Sequence, residues 1–96
     1  MAKFMLLHVG FDKPTPELME AWQTWFKDVA DITLENVGFA GGSEVTRTGT
    51  TELAWDANCL TGYSVIDVPD RAAAEAIAAR NPYITAIRVY ELREHG

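Results

Sequence analysis

His8 lies in the run KFMLLHVG, with Phe4 and Leu6 on the same alternating side, and is the residue of this 96-residue chain best suited to move a proton. Imidazole titrates near neutral pH, and partial burial tunes it, so a histidine inside an apolar strand can serve as a pocket general base. The plainer alternative is a histidine satisfied at a strand end. Asp12, Glu44 and Asp56 fall in expected loops or strand ends near one edge, and each could orient His8 by accepting its other ring proton. Asp56 is taken as the candidate orienting carboxylate; solvated surface is the usual role of such residues. Trp22 and Trp25 could wall a pocket for a flat ligand, although an aromatic stripe at helical spacing is more often core. Trp55 falls off any helical stripe, which suits a pocket or an interface. Arg47 and Arg88 could hold a ligand carboxylate through two hydrogen bonds, a strand-face ion pair being the commoner fate. Trp22, Trp25, Glu44, Trp55 and Arg88 are thus the candidate ligand contacts.

Other chemistries lack their residues. Two histidines and one cysteine without ligand spacing give no metal site, and no cofactor is expected. GFAGGSE lacks the Lys-Ser/Thr of a phosphate loop and leads into no helix. There is no Gly-x-Ser-x-Gly nucleophile elbow. Cys59 has no basic neighbour in sequence and reads as an inert thiol.

The elements that must position these residues can be read in order. Phe4 to Val9 is an apolar run without polar alternation, a strand buried on both faces. Thr15 sits where a helix N-cap belongs, with Pro16 at the first helical position and Glu17 beside the positive end. Leu18, Trp22, Trp25, Phe26, Val29 and Ile32 then recur at helical spacing, predicting a helix that ends between Asp31 and Asn36. The Gly- and Thr-rich middle suggests an irregular strand over 37–45 and a hairpin turning near Thr48-Gly49. CLTGYSVIDV reads as a strand stopped by Pro69. Asp70 caps the helix RAAAEAIAAR, whose apolar side is Ala73, Ala76, Ile77 and Ala78, and Asn81-Pro82 ends it. YITAIRVYEL is a last strand. The order β-α-β-β-α-β is the ferredoxin-like pattern of the α+β class, a four-stranded antiparallel sheet with both helices on one face. Two helices cover one face only, so the other needs a partner, usually a second copy of the chain.

The length suits one domain, residues 1–96. A net charge of −6 and a pI near 4.7 argue against nucleic acid and against an anionic membrane surface. The apolar start is too short for a signal peptide and no window could span a bilayer. With a single cysteine, a soluble protein of the cytoplasm is expected.

KFMLLHVG, the tryptophan-bearing first helix, FAGGSEV, and above all GYSVIDVPDRAAAEAIAARNPY with IRVYEL resemble the YCII-related (DGPF-type) domain family over nearly the whole chain. The resemblance implies a ferredoxin-like homodimer of the dimeric α/β-barrel type, with two sheets facing each other around a pocket. Some members look like cofactor-independent enzymes acting on aromatic or lactone-like compounds; others accompany transcription regulators. The chain differs from the family at two places. WQTW stands where the YCII branch carries a helix histidine of a proposed His-Asp pair. WDANC stands where the DGPF branch carries that tetrapeptide, leaving Asp56 as the one matching position.

Two functions follow. One is a homodimeric pocket protein holding a small aromatic or carboxylated molecule beside His8, with cofactor-free proton transfer or elimination if it is an enzyme. The other is a non-catalytic small-molecule-binding or regulatory module. A histidine within an apolar strand favours the first; the missing helix histidine favours the second.

Overall fold

A computed structural model describes residues 2–93 of the chain; His95 lies outside them. Eight elements follow one another: β1 (Ala2–Val9), α1 (Pro16–Asp28), β2 (Thr33–Gly38), β3 (Ser43–Thr46), β4 (Gly49–Glu52), β5 (Leu60–Val68), α2 (Arg71–Ala79) and β6 (Ala86–Glu91). Four strands form an antiparallel sheet in the order β2-β5-β1-β6, and β3 and β4 form a separate two-stranded hairpin. The ferredoxin-like α+β fold is therefore present, with the small hairpin inserted between its second and third sheet strands.

Both helices start as their sequences dictate. The Thr15 side chain accepts from the Leu18 N–H and Pro16 occupies the first turn; the Asp70 carboxylate accepts from the Ala73 N–H. Each cap satisfies an amide that has no partner within its helix. Phe4 and Leu6 of β1 and Ile66 and Val68 of β5 pack with Trp25, Val29, Ala74 and Ala78, so both helices lie on one face of the sheet. The small residues of α2 bring its backbone close to that sheet.

The opposite face carries Met5 and Leu7 of β1 and Tyr63 and Val65 of β5, all half-buried, flanked by exposed Val37 and Tyr90. Burial along β1 and β5 alternates accordingly, one residue sealed under the helices and the next half-open. Strand β1 is thus buried on one face within this chain, not on both.

Two expected boundaries and one buried stripe are corrected. Helix α1 ends at Asp28, earlier than its periodicity implies: Val29 and Ile32 stay in the core, but the Thr33 hydroxyl donates to the Val29 carbonyl at 2.7 Å and the chain leaves as β2. The strand expected over 37–45 is two strands. Phe39 N–H still donates to Thr61 O, after which Gly41 and Gly42 supply no side chain to pack and the chain departs into the hairpin, which turns at Arg47-Thr48. On α2 the buried stripe is Ala74 and Ala78 beside Ala73 and Ile77, and Ala76 is exposed.

Candidate functional site

Strand register builds a gap beside His8. His8 pairs with Gly62 of β5, and Gly62 pairs with Gly38 of β2, so two neighbouring positions in the imidazole's row have no side chain. The two glycines are there for different reasons. A Cβ on Gly62 would sit 2.5 Å from the Val37 carbonyl oxygen, so the close approach of β2 demands glycine. A Cβ on Gly38 would meet nothing within 4 Å; its side is open space. That space is a cavity of about 410 Å³ walled by His8, Trp22, Phe26, Asn36, Thr61 and Tyr63.

His8 is 7% exposed. Its ring meets Trp22 edge to face at a centroid distance of 5.0 Å and Trp25 at 6.2 Å. Burial lowers its pKa from 6.5 to about 4, so the imidazole is neutral at physiological pH. Nε2 lies 3.1 Å from Ser64 Oγ, and the Ser64 hydroxyl in turn bonds to Asn36 Oδ1. Nδ1 is buried and has no hydrogen-bond partner among the described residues. On the other face of the sheet, where Tyr63 pairs with Leu7 and Glu35 with Val65, the Tyr63 hydroxyl donates to the Glu35 carboxylate, which with partial desolvation raises the phenol's pKa. The site therefore offers aromatic walls, one uncharged imidazole and the Ser64–Asn36 hydrogen bond behind it.

The residues singled out from sequence divide. Trp22 lines the cavity with His8. Trp25 touches the imidazole but is core, its indole N–H donating to Ile77 O at 3.1 Å. Asp56 does not orient His8: its carboxylate accepts from the Asn58 N–H within its own loop, and Nε2 is occupied by Ser64. Glu44 is exposed on the hairpin opposite Thr51. Arg88 pairs with Leu7, one residue out of phase with His8, and so lies on the other face of the sheet. Asp12 accepts from the Lys13 N–H.

Trp55 packs against Phe11, the tilted rings 5.6 Å apart between centroids, and lines a second, larger cavity of about 520 Å³ with Phe39, Leu53, Asp56, Cys59 and Leu60. Its polar groups are used locally, Asp56 as above and the Cys59 thiol donating to Asp56 O. Sequence reasoning missed Ser64, Asn36 and the two glycines. A lone glycine inside a strand marks a close backbone approach, and Gly62 in TGYSVIDV was that signal.

Among the described residues no group of three or more His, Cys, Asp or Glu is placed to hold a metal ion. Among them, too, no helix is long and apolar enough to cross a membrane.

Comparison with known proteins adds the following. A family model described as the YCII-related domain matches residues 6–95. No curated protein matches the chain. Among solved structures, it is similar to the 5-chloro-2-hydroxyhydroquinone dehydrochlorinase of Burkholderia phenoliruptrix AC1100, in complex with 2,5-dihydroxybenzoquinone. The TM-score is 0.57 and the identity 9%, over 98% of this chain and 95% of that one. At that identity the likeness is one of fold.

Proposed function

The chain belongs to the YCII-related domain family, and we propose that it binds a small aromatic molecule in the cavity beside His8, with the imidazole as the proton acceptor of the site. The observation that carries this is a buried, neutral histidine that has an unpartnered ring nitrogen and lines a cavity walled by Trp22 and Phe26. A buried acceptor without a donor costs about 1–3 kcal/mol, which a bound donor would recover. Aromatic walls favour a flat ring, and the dehydrochlorinase of like fold holds a six-membered quinoid compound. As an enzyme the protein would carry out cofactor-independent proton abstraction, with His8 taking the proton.

A purely binding role is the second reading. It is favoured by the want of a carboxylate behind His8 among the described residues, since such a partner would stabilise the imidazolium formed on proton uptake.

The half-open sheet face of Met5, Leu7, Tyr63 and Val65 supports a homodimer formed through that face. The acidic charge and lone cysteine support the cytoplasm as the compartment.

The test is a fluorescence titration of the parent and of Gly38→Leu with resorcinol. Saturable quenching in the parent and its loss in Gly38→Leu, which fills the open space, supports the reading. Unchanged binding in Gly38→Leu places the ligand elsewhere.

A further inference from the structure

We propose that Ser64 and Asn36 are positioning residues that hold His8 with its proton on Nε2, so that the site takes an aromatic hydrogen-bond donor and discriminates against carboxylates. The inference rests on the reading of the His8 cavity as a ligand site.

The direction of the hydrogen-bond chain decides the tautomer. Asn36 Oδ1 can only accept, so the single Ser64 O–H is spent on it. Ser64 Oγ can then meet Nε2, 3.1 Å away, only as an acceptor, and Nε2 must carry the hydrogen. A neutral imidazole so protonated has a bare lone pair at Nδ1, the atom left buried without a partner. Only a donor satisfies it; a carboxylate or an ether oxygen there would face another lone pair.

The charges around the imidazole point the same way. From α1 it is faced by Trp22 and Trp25, from β5 by Ser64, and through Ser64 by Asn36 of β2. Among the described residues no Lys or Arg lines the cavity. An anion would enter an acidic protein and find no countercharge.

Because Nδ1 is closed to solvent, a ligand reaches it by displacing a wall, and Trp22 is the wall that can yield. It is half-buried and, with Phe26 and Thr61, lines both this cavity and another of about 360 Å³, whereas Trp25 is buried and tethered to Ile77. Donor binding therefore alters the surroundings of Trp22.

The experiment has two arms on the full chain at neutral pH. In the first, protein with nitrogen-15-labelled histidine is observed by long-range proton–nitrogen correlation. The His8 signals should be those of a protonated Nε2 and a bare Nδ1 in the parent and in Asn36→Asp, whose carboxylate still only accepts. Ser64→Ala should give a mixture of tautomers. A protonated Nδ1 in the parent overturns the assignment of Ser64 and Asn36. In the second arm, resorcinol should bind at least about tenfold more tightly than 1,3-dimethoxybenzene or benzoate, the cost of leaving one buried group unpaired. Equal binding of benzoate or of the diether overturns the donor preference while leaving the ligand site intact. If none of the three binds, the ligand-site reading fails and the preference with it, and the imidazole signals still decide the tautomer.

Discussion

His8 Nε2 lies 3.1 Å from Ser64 Oγ, and this one contact ties the protein's only described histidine to the strand that carries the glycine gap beside it. Strand β5 thus supplies both the polar anchor and, at Gly62, the missing side chain.

Stability should depend on pH through His8. Burial lowers its folded pKa to about 4 against 6.5 unfolded, so between these values the unfolded chain binds more protons. The contribution is fully present above about pH 6.5 and is lost as pH falls toward 4, on the order of 3 kcal/mol in all. Urea unfolding across that range should register it, and a flat profile would contradict the burial of His8.

His8→Leu should remove that pH dependence. Ser64 keeps its bond to Asn36 in the variant, and the unpartnered Nδ1 is gone. Stability at pH 7 should be unchanged or raised by up to about 1 kcal/mol, with aromatic ligand binding lost. A variant that melts higher and binds as the parent does would make His8 a core residue only.

The two cavity glycines should respond differently to alanine. Gly62→Ala forces a Cβ against the Val37 carbonyl and should cost about 1–3 kcal/mol in thermal or urea unfolding. Gly38→Ala, with open space at its Cβ, should change stability by less than about 1 kcal/mol.

Leu7→Asp should give a folded monomer. It places a charge on the half-open sheet face without touching the helix side, where Leu6 is sealed. Sedimentation should find the parent dimeric and the variant monomeric at micromolar concentration; a monomeric parent would remove the role proposed for this face.

How much of this was legible in the sequence follows from what each residue depends on. The helix starts at Thr15-Pro16 and Asp70 are local signals, and the alternation in β5 is too, so those elements could be read directly. The break at Gly41-Gly42 was hidden because Phe39 continues the β2 pairing and only then does the hairpin begin. His8 could be picked out as a buried polar residue on an apolar face, but its partner could not. Ser64 is 56 positions away, and its nearness is a property of strand register, which places His8 beside Gly62 and Ser64 beside Leu6. Asp56 looked close in the order of elements and proved to be spent on its own loop turn. Arg88 illustrates the same limit, since one step of register carries it to the far face.

The most direct test of a ligand site at His8 is a titration of labelled protein with resorcinol, following the His8 imidazole and the indole signals of Trp22 and Trp55 together. The account predicts saturable shifts at His8 and Trp22 at one molecule per chain, absent in Gly38→Leu. Shifts at Trp55 with His8 unmoved would contradict it and assign binding to the second cavity.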